Sequence, residues 1–544
     1  MAETFAGGQG YDVLISGAKV VDGSGNPWFY ADVALRGDRI AAIAPPGRIE
    51  RSSAAEVVDA SGHVVSPGFI DIQSHSLVPF LTNGASLSKV TQGVTTEILG
   101  EGWTPAPFGG RITDPLGGYA SAPPEVLEHV HTWSRFGNWM DYLGTVGISV
   151  NYGSFVGGGT VREYVRAWEV GELTPDEMRT MRRVVAESME DGAFGVATAL
   201  IYPPNSYITN PELYAMCEEI AARGGVYITH MRSEADDFLE ELAATIDLSR
   251  QTGCALELYH LKVGGQRNWH KMPRAIEMIN AARAEGLDIT ADMYPYIAGG
   301  TGLASALPNW AAAEGKLKDN LRDPEMRERI RHELLEPTGG WEPLATLAGP
   351  EGVLVTELKA EQNRQYSGKR LAEIAEARQQ HWTDCLMDMV IEEDEWVFCV
   401  YFMMTEDNLP AQLQQPWMKI STDAAGLDPT HDGHAVTHPR SYGTYPRVLG
   451  KYVREDGVLT LEDAVRKMSS AVADRLTLRD RGLLREGLLA DVIIFNPDTV
   501  IDNATFEDPH QLSTGVRDVW VNGTRVLRDG THTGAAAGRM VGLQ

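Results

Sequence analysis

The sequence predicts an α/β fold: a parallel (β/α)8 barrel with a small β domain built from both chain ends and a long helical insertion. Three observations carry this reading. Eight short apolar runs alternate with helical patterns through the middle of the 544-residue chain. Short β signals with Asp-Gly, Gly-Asp and Ser-Gly breaks occupy the first sixty or so residues, and the same texture returns at the other end. One connection, between "ADMYPY" and "WMKISTD", is about 120 residues long, far beyond an ordinary loop.

Taken in order, "YDVLISGAKVVDGSG", "ADVALRGDRIAAIAP" and "SAAEVVDASGHVVSPG" pair with "LLADVIIFNPDTV" and "VRDVWVNGTRVLRDG", so residues 1–64 and 478–544 are expected to form one domain. The barrel is placed at 65–477. Its strands are read in "GFIDIQSH", "VTTEILG", "GISVNYGSF", "GAFGVATAL", "GVYITH", "ALELYHLK", "LDITADMYPY" and "WMKISTDA". Helix starts are explicit between them: Thr174 caps, Pro175 suits the first turn and Glu177 completes a capping box. Thr460 and Asp463 repeat the device, ahead of an apolar face of Leu461, Ala464, Val465 and Met468. The insertion, 297–395, contains helical stretches such as "PEMRERIRHELLEP" and is expected on the catalytic face, as a lid over substrate or as an oligomerisation or stability element.

Composition narrows the function. The net charge of −28 argues against binding nucleic acid, which needs a basic surface. No apolar run reaches the roughly 18 residues of a membrane-spanning helix, and "MAETFAGGQGYDVLISG" lacks a basic region followed by an apolar core. Four scattered cysteines (Cys217, Cys254, Cys385 and Cys399) fit reduced thiols in a cytoplasmic protein.

Chemistry in such a barrel gathers at the strand ends. The first strand ends at Gln73 and His75, the second at Glu101, the fifth at His230, the sixth at His260 and the eighth at Asp423. Each alone is weak; together they put ligands and a base from several strands on one rim. Two imidazoles and a carboxylate suit a three-ligand zinc site with room for water, and coordination brings that water's pKa toward neutrality.

The ordered set "PGFID", "VTQGVTT", "TALIYPP", "THMRSE", "YHLKVGG", "DMYPY", "STDA", "HPRSYGTYPRVLGKYVRE" and "GLLREGLLADVIIFNPDTV" resembles the D-aminoacylase (N-acyl-D-amino-acid deacylase) group of the amidohydrolase superfamily over nearly the whole chain. The resemblance implies a metal-dependent barrel flanked by a β-sandwich from both termini. It implies that His230 and His260 hold the metal and that Asp423 activates its water and protonates the leaving nitrogen. Lys262 and Tyr294 fall where the family binds polar groups of the substrate; Arg440 is a candidate for a substrate carboxylate or, alternatively, a structural ion-pair partner.

Two departures stand out. Gln73 replaces the first histidine of the superfamily's His-x-His pair, and "GEGW" replaces the cysteine-bearing turn after the second strand, with Glu101 the natural substitute one place off. An amide oxygen is a poor zinc ligand, so one Zn2+ ion is expected rather than two. The ligands are then Glu101, His230 and His260, with His75 a further candidate ligand and Gln73 a candidate substrate contact. "GAFGVATAL" offers no bridging lysine, as in the D-aminoacylase branch. The expected activity is hydrolysis of a linear amide, foremost an N-acyl-D-amino acid, by an activated water with Asp423 as base and then acid. The alternatives are another amide, carbamate or dipeptide-like substrate, or an inactive binding protein on the same fold. The expected partner is a small amide substrate, not nucleic acid or membrane; a homo-oligomer is left open.

Overall fold

Eight parallel strands form the barrel, and all begin in an apolar run singled out from the sequence, the third running on past its run to Gly157. They are Phe69–Asp71, Val94–Leu99, a third strand in two pieces (Asn151–Ser154 and Val156–Gly157), Gly195–Ala199, Val226–His230, Ala255–Leu258, Ile289–Met293 and Met418–Ile420. Nearly every residue in them is buried, as expected of parallel strands with helices on one side and a filled barrel on the other. The computed structural model describes residues 10–114, 124–356, 358–394, 397–430 and 437–543. The first nine residues of the N-terminal segment lie outside these.

The strands hydrogen-bond as a three-stranded and a six-stranded parallel sheet, adjoining at Phe155 within the third strand. Closure between the first and eighth strands comes just beyond their ends. There Ser74 and Ala424 form a parallel bridge, Asp423 N–H donates to the Gln73 carbonyl at 3.0 Å, and His75 N–H donates to the Ala424 carbonyl at 3.1 Å.

Beneath this seam lies a buried ionic cluster. Lys89 Nζ donates to Asp71 Oδ2 at 2.6 Å, to Thr422 Oγ1 at 2.5 Å and to the Ala424 carbonyl at 2.7 Å. Asp71 also accepts from Thr422 N–H, at 3.0 Å. Both charged side chains are fully buried. Removing one partner of such a pair strands the other charge, so Lys89→Met should lose about 3–5 kcal/mol of stability in urea unfolding. A loss below about 1 kcal/mol would show that the cluster does not hold the seam.

Of the two expected capping boxes the first forms in full, while at the second Thr460 accepts from Asp463 N–H with no return bond from the Asp463 side chain among the described residues. Thr174 and Glu177 make a reciprocal capping box on Pro175–Glu190, and Thr460 caps Leu461–Met468, whose Ala464, Val465 and Met468 are buried. The two chain ends meet in one nine-stranded sheet: Val64–Pro67 pairs antiparallel with Val492–Phe495, with Val492 opposite Pro67. This sheet has its own core, with Ile15, Val33, Val492 and Trp520 among its members.

The insertion carries the expected helices, including Pro324–Leu335, Leu371–Arg378 and Trp382–Glu393. To these the structure adds a four-stranded antiparallel sheet of Gly299–Gly302, Phe398–Tyr401, Val353–Val355 and Lys369–Arg370, the second of which carries the lobe past the expected end at 395. A separate apolar core, including Leu321, Leu334, Leu386 and Tyr401, makes it a lobe and not a single flap. Among the described residues no helix is long and apolar enough to cross a membrane, and the four cysteines are free and buried.

Candidate active site

Glu101 owes its position to two glycines. Gly100 has φ +114° and a Cβ there would lie 2.3 Å from the Phe155 carbonyl oxygen; Gly102, at φ +65°, abuts Ala199. Only glycine fits this turn closely enough to swing the carboxylate from the second strand over the barrel mouth. His260 (φ +31°) and Asp423 (φ +50°) also occupy the left-handed region, which costs energy for residues with a Cβ. Their backbones are pinned: Asp292 Oδ1 accepts from His260 N–H at 2.9 Å, and the Gln73 carbonyl accepts from Asp423 N–H.

Glu101 is the hub. Its Oε1 lies 3.5 Å from His230 Nδ1 and 3.4 Å from His260 Nε2, and its Oε2 lies 3.2 Å from His75 Nε2. Burial would raise its pKa, but His230, His260 and then His75 hold it well below the usual carboxylate range. The ligand atoms of Glu101, His230 and His260 lie within 4.8 Å of one another, as do those of His75, Glu101 and Asp423. Neither nitrogen of the buried His230 ring completes a hydrogen bond. A buried imidazole facing an ionised carboxylate with no bond made is the donor set a divalent zinc ion satisfies, so the first group fits the metal.

On the far side of the two histidines stands Glu234. Its carboxylate reaches His230 Nε2 at 3.3 Å, His260 Nδ1 at 3.1 Å and Lys262 Nζ at 2.6 Å. Burial would raise its pKa, but His230, Lys262 and His260 beside it pull it down, so the group is a carboxylate. A carboxylate behind both rings is the kind of outer partner that supports metal-binding histidines. Sequence reasoning quoted "THMRSE" but gave Glu234 no role; its spacing of four from His230 was the available signal.

Asp423 is equally constrained. Oδ1 accepts from His75 Nε2 at 2.9 Å and from Gln73 Nε2 at 3.1 Å, while Arg440 Nη1 stands 2.6 Å from Oδ2. Burial works against ionisation here, but Arg440 foremost, then His260 and His75, lowers its pKa. For His75, burial pulls down, yet bonds to Asp423 and Glu101 carry it up to about 9. Its side chain stays 36% exposed, facing the open side of the site.

The structure therefore gathers Gln73, His75, Glu101, His230, His260 and Asp423 at one mouth. Lys262 is there too, paired with Glu234 and 2.7 Å from His260 Nδ1. The guanidinium of Arg440 lies 4.6 Å from the centre of the Tyr294 ring, and the buried Tyr294 hydroxyl has no hydrogen-bond partner. Gln73 sits deepest, 1% exposed, with Nε2 donating to Glu101 Oε2 at 2.5 Å as well as to Asp423, and Oε1 accepting from Ser421 at 3.3 Å. Two carboxylates on one end fix the amide orientation, because its oxygen would be repelled there. Tyr202, from "TALIYPP", packs edge-on to His230 with ring centres 5.5 Å apart.

The chain is similar to known proteins over nearly its whole length. Residues 411–527 match the model of an amidohydrolase family, Amidohydro_3. The chain is 34% identical over 536 residues to a D-aminoacylase of Alcaligenes xylosoxydans xylosoxydans, covering 98% of each protein. A solved D-aminoacylase, described by one-metal activation and second-metal attenuation of a binuclear centre, is 32% identical with a TM-score of 0.80 and covers 98% of this chain and all of its own. An N-acyl-D-glutamate deacylase from Bordetella bronchiseptica, solved with zinc and a phosphonate mimic of the tetrahedral intermediate, is 28% identical with the same TM-score and coverage. The fold is thus a TIM-type barrel with a β-sandwich domain, as in these structures. By its near-complete likeness to these proteins, the chain belongs to the D-aminoacylase group of the amidohydrolase superfamily.

Proposed function

We propose that the chain is a cytoplasmic deacylase of N-acyl-D-amino acids that works with one zinc ion held by Glu101, His230 and His260. The observation that carries the reading is the meeting of these three side chains from three strand ends around the unbonded His230 ring, with Asp423 across the mouth. The deacylases it matches act on this substrate class, which supports the choice of substrate.

A zinc ion so placed supplies Lewis-acid polarisation of the amide carbonyl and acidifies a bound water. The protein's own groups do the rest. Asp423, held ionised by Arg440 and His75, accepts a proton from the attacking water and then returns it to the departing nitrogen. Lys262, Tyr294 and Arg440 are suited to the substrate's carboxylate and carbonyl groups. Arg440 lies against Asp423 without completing a hydrogen bond through Nη1, so a substrate carboxylate can draw it away and leave Asp423 free to take a proton. Glu234 backs both histidines from the side away from Glu101.

Support for a single ion comes from Gln73. Its amide N–H groups donate to Glu101 and Asp423, and so occupy carboxylate oxygens of the second possible ligand group, His75, Glu101 and Asp423. Metal counting on the purified protein should give about one zinc per chain, and Gln73→His should bind a second at raised zinc concentration. Two ions in the unaltered protein would sink this part. A panel of N-acyl-D- and N-acyl-L-amino acids tests the substrate: turnover confined to the D series is expected, and none on either series would reject it.

A further inference from the structure

The insertion reaches the backbone of Glu234 through the side chain of Glu342. Glu342 lies in the connection between helices Pro324–Leu335 and Leu344–Ala348, within the lobe that the sequence reading treated as a lid. Its side chain is buried, and Oε2 accepts a 2.6 Å hydrogen bond from the backbone N–H of Glu234. The carbonyl of the same residue accepts from Gly264 N–H at 2.7 Å, so Glu234 is held from both sides of its backbone. One hold comes from the barrel and the other from the insertion.

From this geometry we infer that Glu342 is a positioning residue: by seating the Glu234 backbone, the insertion sets the carboxylate that orients His230 and His260, and so controls how tightly zinc is retained. The argument is one of lever arms. Glu234 touches His230, His260 and Lys262 at once, at 3.3, 3.1 and 2.6 Å. A shift of its backbone by a fraction of an ångström breaks the match to both rings together, whereas movement of either histidine alone would disturb one contact. Groups that orient metal ligands in this way govern affinity by about tenfold to a hundredfold. Burial first, then the charge of Glu234, push the Glu342 carboxyl up to about 8, which makes neutral glutamine a close isostere that keeps an acceptor. Leucine has similar bulk and no acceptor. The insertion would then bear on metal retention through this contact.

This inference rests on the metal reading above, and its test separates the two. Zinc-loaded unaltered protein, Glu342→Gln and Glu342→Leu are mixed with excess 4-(2-pyridylazo)resorcinol, and the rate of zinc release is followed by absorbance. Release from Glu342→Gln should stay within about threefold of the unaltered protein, and release from Glu342→Leu should be faster by about tenfold or more. Equal rates in all three, or equal acceleration in both variants, would overturn the role of the acceptor while leaving the metal site standing. Unaltered protein that holds no zinc would overturn both readings. Should Glu342→Leu fail to fold, residue-resolved hydrogen exchange on the unaltered holoenzyme decides: the Glu234 amide should be protected as well as that of Gly264, and free exchange there would overturn the strut.

Discussion

Asp423→Asn should lower kcat by about 10^4-fold while the zinc content stays near its original value. The carboxamide preserves shape, yet it can neither accept a proton from water nor hand one to the leaving nitrogen. Asp423 is outside the Glu101, His230 and His260 group, so the metal has no reason to leave. Steady-state kinetics and metal analysis on the same preparation check both halves. Retained turnover would remove Asp423 from the chemistry; lost zinc would make it a ligand and not a base.

Glu101→Ala should have the opposite signature, losing metal and activity together. Among the described residues Glu101 is the carboxylate that reaches both His230 and His260 on the mouth side, and its charge keeps that cluster from being purely imidazole. Zinc affinity should fall by more than the tenfold to hundredfold that loss of a supporting contact costs. Competition against a chelator of known affinity measures it. Full zinc occupancy in Glu101→Ala would show that the ligand set lies elsewhere, with His75 and Asp423 the next group to examine.

Much of this was legible in the chain because the signals were local. Each barrel strand is a short buried apolar run, and the caps at Thr174 and Thr460 are written within four residues. Strand ends supplied Gln73, His75, Glu101, His230, His260 and Asp423, since the fold decides that such positions share a rim. What escaped was convergence across distance. Glu234 matters because the fifth and sixth strands bring two rings to it, and no spacing in "YHLK" announces that. Lys89 and Asp71 are partners only after the barrel closes. The insertion's sheet was hidden for another reason: Val353–Val355 and Lys369–Arg370 are too short for alternation to register. Arg440 was expected to face a substrate carboxylate or an acid of the protein; its contact here is the catalytic candidate Asp423, a pairing that depends on the helix Arg440–Arg447 returning over the mouth.

The bridge between Ser74 and Ala424 has a consequence for how the molecule matures. Gln73 and Asp423 are 350 residues apart in sequence, yet they share a hydrogen bond at the join. No fragment lacking either end of the barrel can bring Gln73 to Asp423, and contacts of such long span form late because the intervening chain must first be ordered. Recovery of turnover after denaturation would therefore lag the return of helical signal and report completion of the whole ring, making the enzyme its own gauge of finished folding.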